Sequence, residues 1–318
     1  MKRFVAEFEK QSYTQIIFPH KDTDWAEYLQ EAQQNFEEII NNIIKYQKCL
    51  VVCADVEDVK KRFKPNKNLH FVEYKTDDTW ARDCSALCVE KDGKIELLDF
   101  TFNGWGGKFE ANKDNAMTKF LTPQASTCNF VLEGGGVESN GVDTLLTTST
   151  CMLNPNRNKE FSKEQITQKL KDFFGLKNII YLDHGYLAGD DTDSHIDTLA
   201  RFVDEKTIMY VKCEDETDEH YKELKLMEDE LKQLNFNLIP LPFPTPIYFE
   251  NERLPATYAN FLFVNGAVLV PVYGVKEDSD AILVFEQTFK NRDIIPIDCS
   301  TLIKQHGSLH CVTMNFSY

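Results

Sequence analysis

The chain has 318 residues, 42% of them hydrophobic and 12% aromatic, and carries a formal net charge of -16 from 51 acidic against 35 basic side chains. A phosphate backbone demands a basic face, so this balance argues against nucleic acid as a partner and suits a small cation better. No run of 18 apolar residues is available to span a membrane, and nine cysteines without a CxxC pair fit neither a disulfide framework nor a zinc knuckle.

The first ten residues hold acids and lysines where a signal peptide has its apolar run, so a cytoplasmic location is expected. Residues 14–19 read as a short buried strand, and Asp22-Thr23-Asp24 is expected to cap an amphipathic helix over 25–46. Strands at 49–54 and 69–74 flank a short helix at 56–63. A unit then recurs. Strands 83–90 and 94–102 are joined by Asp92-Gly93, a strong hairpin signal. The pattern returns at 133–148 around Asn140-Gly141, at 195–212 around Asp204-Glu205, and at 258–272 around Asn265-Gly266. Between the hairpins lie helical stretches at 112–121, 163–174, 218–234 and 279–289 and single strands at 179–182, 238–241 and 294–297. The run 240–246, rich in proline, is expected to be a rigid connector.

The turn centres Gly93, Gly141, Glu205 and Gly266 are 48, 64 and 61 residues apart, a repeat of supersecondary units. A fifth hairpin is completed if a strand at 309–316 pairs with 14–19, which would close a ring. The expected fold class is therefore α/β, built as one unit over 1–318.

Counting back from each turn, Asp83 lies ten residues before Gly93, Glu133 eight before Gly141, His195 ten and Asp197 eight before Glu205, and Tyr258 eight before Gly266. All offsets are even, so on strands these side chains would share one face and converge on the axis. The densest of these segments, residues 190–202, packs Asp190, Asp191, Asp193, His195 and Asp197 ahead of an apolar run. No second His or Cys cluster stands at ligand spacing, so no metal and no cofactor are expected.

Most cysteines fall in or beside apolar strands, where a thiol is packing, and Cys151 and Cys299 lie near loops without an obvious base. Cys311 differs: the loop His306-Gly307-Ser308-Leu309-His310-Cys311 enters the proposed fifth hairpin and would bring its thiol to the same axis. By strand parity His310 would face away from that axis.

Five segments in order carry a resemblance: Asp78-Thr79-Trp80-Ala81-Arg82-Asp83, Asn103-Gly104-Trp105-Gly106-Gly107-Lys108-Phe109, Glu133-Gly134-Gly135-Gly136, His195-Ile196-Asp197 with Ala200-Arg201-Phe202, and Leu309-His310-Cys311. Together they resemble the agmatine deiminase and bacterial peptidylarginine deiminase family. The resemblance implies a five-bladed pseudo-symmetric α/β propeller of ββαβ units, the pentein fold. It implies Cys311 as the nucleophile forming an amidino-cysteine, His195 as general acid and base, Asp83 and Asp197 on the guanidinium, Glu133 supporting His195, and Trp80 lining the pocket. Two departures stand out: the family loop before the cysteine usually reads Gly-Gly-Asn-Ile-His-Cys, and this chain is shorter than typical agmatine deiminases.

Free arginine would need a cation for its α-carboxylate, and parity points Arg82 away from Asp83. Agmatine ends in an ammonium, for which Asp191 or Asp193 is a natural partner. The expected activity is hydrolysis of agmatine to N-carbamoylputrescine and ammonia, feeding putrescine formation, with a peptidylarginine deiminase, an arginine deiminase or an amidinotransferase as alternatives. A non-catalytic ribosome-binding factor of the same fold is disfavoured by the charge, and a homodimer is compatible with everything above. Trp105 either walls the pocket or staples its loop, with the staple favoured.

Overall fold

The computed structural model describes residues 2–318. Five sheets share one plan, in which a short inner strand runs antiparallel to a middle strand and the middle strand runs parallel to an outer one. In chain order the inner strands are Leu87–Lys91, Glu138–Ser139, Ala200–Asp204, Leu262–Val264 and Thr313–Ser317. The last pairs with Gln11–Ile17 in the register Thr313↔Ile16, so the two ends of the chain complete one sheet as expected.

Local chemistry accounts for the elements. Helix Lys163–Phe174 starts on a Ser162/Gln165 capping box, buries Ile166, Leu170 and Phe174 at helical spacing, and ends at Gly175 with φ 71°. Asp92 and Gly93 both take positive φ, the requirement of a two-residue hairpin turn between Lys91 and Lys94. Helix Leu29–Ile43 buries Ala32, Phe36, Ile39, Ile40 and Ile43 but has no side-chain cap; a 3₁₀ turn at Ala26–Tyr28 leads into it instead, behind the buried Trp25. Outer strands Asn237–Pro242 and Asp293–Asp298 hold Pro240, Pro242 and Pro296 at sheet edges, where a missing N–H costs no ladder bond. The proline-rich run is thus half strand, not all connector.

Four strands lie outside the sequence expectation, the two-residue pair Tyr248–Phe249 and Glu252–Arg253 and two that join the first hairpin's sheet. Ser126–Val131 supplies the outer strand of the first hairpin's sheet, and Lys2–Phe4 adds an antiparallel edge to Leu87–Lys91. Both are short and half-exposed, so neither carries the apolar run that marks a buried strand.

The inner strands start later than the count back from the turns assumes. Asp83 lies in a helical turn, Ala81–Cys84; Glu133 precedes the 3₁₀ turn Gly134–Gly136; His195 precedes the 3₁₀ turn Ile196–Thr198. Each inner strand begins only after its turn. Short polar side chains stabilise these turns locally: the Thr198 hydroxyl and N–H both donate to His195 O, at 2.8 and 3.2 Å. Equivalent side chains therefore converge because the turns repeat, not because of strand parity.

Candidate active site

Asp83, His195, Asp197 and Cys311 line one cavity of about 500 Å³ together with Trp80, Trp105 and Asp191. Glu133 stands directly behind His195. Tyr258 does not reach the cavity; its hydroxyl donates to Asp278 Oδ1 at 2.7 Å. The fourth repeat contributes Asn260 instead, six residues before Gly266 and so at another even offset, with its Nδ2 3.3 Å from Cys311 Sγ and its Oδ1 accepting from His310 N at 2.8 Å.

Asp83 receives Gly135 N and Trp105 Nε1, each at 2.9 Å. Trp105, held at φ 55°, is thus a cavity wall that orients a carboxylate, more than a loop staple. Burial, reinforced by Asp197, lifts the Asp83 carboxyl above its usual range. Asp197 is the opposite case: the His310 imidazole at 2.7 Å overcomes burial and holds it low. His310 is not remote from the site, as strand parity would have it. His310 is absent from the cavity wall but bridges Asp197 to Glu7, whose carboxylate also takes Arg82 and Arg201. Arg82 does point away from Asp83, as expected.

His195 is wholly buried, with Nδ1 3.7 Å from Asp83 Oδ1 and Nε2 3.7 Å from Glu133 Oε2. Burial alone would depress its pKa, but Asp83, Cys151 and Glu133 outweigh that and lift it well above the ordinary imidazole range. Glu133 is itself held low despite burial, by His195 and by Arg157, whose Nε donates to both carboxylate oxygens at 2.8 and 3.0 Å. The far end of Arg157 takes Asp193 Oδ2 at 2.6 Å and Thr192 O at 3.0 Å. Asp193, also paired with Lys108, is therefore an anchor of its loop and not a group offered to a ligand. Asp190 likewise ties the loop, accepting from Thr192 Oγ1 and Ser194 N. Asp191 faces the cavity, its carboxyl pushed up to about 6 by burial and by Asp190.

Cys311 Sγ lies 3.7 Å from Asp197 Oδ2, and burial with the charges of Asp197 and Asp83 raises its thiol pKa well above the ordinary value. The cavity lining holds nine aspartates and one glutamate against Lys113, His195 and His306. Lys113 is already paired with Asp77. Acidic side chains outnumber basic ones in such a site, which suits a cationic ligand.

The unusual loop before Cys311 is pinned at each end. His306, at φ 65°, contacts Gly189 O through Nδ1 at 2.7 Å, and Ser308 Oγ meets Tyr273 OH at 2.9 Å. Between them Gly307 packs on the indole of Trp80, where a Cβ would come within 2.1 Å of Cζ3. Trp80 in turn donates its Nε1 to Asp78 Oδ2 at 2.9 Å.

Cys151, set aside on its sequence surroundings, is brought to Glu133 and His195. The three offer metal-ligating atoms within 4.8 Å of one another, a grouping that spacings of 18 and 44 residues conceal.

The match to the family described as Porphyromonas-type peptidyl-arginine deiminase extends over residues 3–316. The chain belongs to that family. A Cys-to-Ser variant of C. jejuni agmatine deiminase, solved with substrate bound, is 42% identical, with 100% of this chain and 97% of that one covered and a TM-score of 0.98. A Porphyromonas gingivalis structure, provisionally named an arginine deiminase, is 45% identical over 99% of this chain and 98% of its own, with a TM-score of 0.95. A Mycoplasma capricolum protein provisionally named an agmatine deiminase is 31% identical over 340 residues, covering 96% of this chain and 93% of its own.

Proposed function

We propose that the protein is an agmatine deiminase, a hydrolase of C–N bonds in linear amidines that forms N-carbamoylputrescine and ammonia through an amidino-cysteine. The observation that carries this reading is a thiol, Cys311, beside the Asp197 carboxylate in a cavity lined by nine aspartates and one glutamate.

A guanidinium is delocalised and stays protonated, so it is a poor electrophile until it is fixed in position. Asp83 and Asp197 can each accept N–H donors from its edges and hold its carbon toward Cys311. The bound cation offsets the two charges that keep the thiol protonated, so substrate promotes ionisation of its own nucleophile. His195 gives a proton to the departing ammonia and later takes one from the water that frees the product, and Glu133 keeps the imidazole oriented and basic. No step in this sequence calls on a metal or cofactor.

The acidic wall also selects between substrates. The ammonium of agmatine meets Asp191, whereas the α-carboxylate of arginine would approach carboxylates with Lys113 already committed. The experiment is a comparison of agmatine, arginine and an arginyl peptide by ammonia release, with product identified by mass. Agmatine is expected to have the highest kcat/KM; a higher value on either other substrate reverses the assignment.

No helix in the described residues is long and apolar enough to cross a membrane, and we keep a cytoplasmic location. The fivefold repeat of one sheet plan, together with a core that joins residues from Phe4 to Phe316, supports a five-bladed propeller forming a single catalytic domain over 1–318.

A further inference from the structure

Cys151 belongs to the short helix Ser149–Met152, where its N–H donates to the capping hydroxyl of Thr148 at 3.3 Å. Its Sγ is 3.9 Å from Glu133 Oε2, and His195 Nε2 is 3.7 Å from the same oxygen. All three residues are buried, and His195 Nε2 has no hydrogen-bond partner among the described residues. A buried polar atom left unpaired is costly, and here it is aimed at a thiol and a carboxylate.

A tetrahedral zinc ion takes nitrogen and oxygen ligands at about 2.0–2.2 Å and sulfur at about 2.3 Å, which sets neighbouring ligand atoms roughly 3.3–3.7 Å apart. The separations from Glu133 Oε2 lie at or a few tenths of an ångström outside that range. We propose that Glu133, Cys151 and His195 form a binding site for a borderline-soft divalent cation of the zinc type, and that occupancy silences the active site.

The ligand set chooses the metal class. Thiolate with imidazole favours zinc, cobalt or cadmium over magnesium or calcium, which want oxygen alone. Thiolate and carboxylate together balance a dication, and neutral imidazole adds no charge. Arg157 stays on Glu133 as the outer group that orients a ligating carboxylate, since each oxygen retains a second lone pair. Three protein ligands leave the fourth position to water. Binding requires that Cys151 lose its thiol proton and His195 its Nε2 proton, both released to solvent, so affinity rises with pH. A metal on Nε2 holds His195 neutral and fixed. That removes the proton carrier from the reaction proposed above, and only this inhibitory consequence rests on that reading.

The test separates Cys151 from Cys311, the other thiol near His195. Cys311→Ala protein titrated with Co²⁺ is expected to develop thiolate-to-cobalt charge-transfer absorption that saturates at one ion per chain and is bleached by Zn²⁺. The Cys151→Ser/Cys311→Ala protein is expected to show none. In otherwise unmodified enzyme, Zn²⁺ should inhibit reversibly, relieved by a chelator, and Cys151→Ser should weaken that inhibition by more than the roughly 10–100-fold that loss of an outer-shell group costs. No cobalt band in the Cys311→Ala protein, an equal band in the double variant, or unchanged zinc inhibition in Cys151→Ser each overturns the proposal. The cobalt arm needs no turnover, so it stands apart from the deiminase assignment, and if Cys151→Ser does not fold, Cys151→Ala takes its place in both arms.

Discussion

Cys311 Sγ stands 3.7 Å from Asp197 Oδ2, so the nucleophile is in contact with the carboxylate assigned to hold the substrate. An anion at that distance opposes thiolate formation until a cation arrives between them. The free enzyme should therefore react sluggishly with a neutral alkylating agent near pH 7. Chloroacetamidine, which brings an amidinium, should inactivate faster than chloroacetamide by about 100-fold, given that close charge pairs near a protein surface are worth several kcal/mol. Equal inactivation rates, with the adduct mapped to Cys311 in both cases, would show that no substrate-like cation is needed to ionise the thiol.

Gly135 sits where His195, Asp83 and Asp197 come closest. A Cβ there would lie 2.6 Å from His195 Nδ1, 3.0 Å from Asp83 Oδ1 and 3.1 Å from Asp197 Oδ2. Its φ is not in the left-handed region, so alanine can be accommodated by the backbone and the conflict falls on the three functional groups. Gly135→Ala is expected to lower kcat by 10²-fold or more, the order of loss that misplacement by about 1 Å produces, with little change in far-UV circular dichroism. Retained turnover would mean that the three groups tolerate displacement.

How much of this arrangement could be read beforehand depended on the range of the interaction. Helices Asn112–Leu121 and Lys163–Phe174 and the Asp92-Gly93 hairpin are written in local periodicity and turn chemistry, and their positions agreed with the structure. Even offsets pick out Asp83, Glu133, His195 and Asp197, and the loop before it picks out Cys311, although the first four sit on turns, where parity has no force, and the same count also picks Tyr258, which lies outside the cavity. The resemblance in five ordered motifs carried their roles. Nothing local marks Glu7, Asn260 or Arg157, or gives Cys151 a base, because each acts through a partner far along the chain: Glu7 on His310, Asn260 on Cys311, Arg157 and Cys151 on Glu133. Asp193 was misjudged for the same reason, since only its contacts with Arg157 and Lys108 show that its charge is already used.

Asp191 gives the site a pH signature. Its carboxyl is raised to about 6 by burial beside Asp190, so it is charged above that pH and neutral below it. The KM for agmatine is expected to rise as pH falls from 7 to 5, while kcat changes less, because only attraction for the distal ammonium is lost. Asp191→Asn should abolish the inflection and raise KM at pH 7.5 by roughly 5–10-fold, in keeping with a half-buried ion pair. A KM profile identical in the variant would remove Asp191 from substrate binding.

The Glu133–Arg157 pair ties catalysis to stability. Both side chains are almost fully buried, and the carboxyl is held below its ordinary value of 4.5, against burial, by His195 and Arg157. Glu133→Gln leaves Asp193 as the one carboxylate paired with Arg157 among the described residues, and breaking a buried pair from one side costs about 3 kcal/mol or more, read as a lower urea midpoint at pH 7. A carboxyl whose folded pKa is depressed contributes stability that is present above its unfolded pKa and lost as pH falls through the folded one. The difference between parent and variant should therefore be full at pH 7 and shrink as pH drops below about 4.5. A gap that is constant across that range would assign the loss to packing, and a gap that widens in acid would contradict an ionised Glu133 in the folded protein.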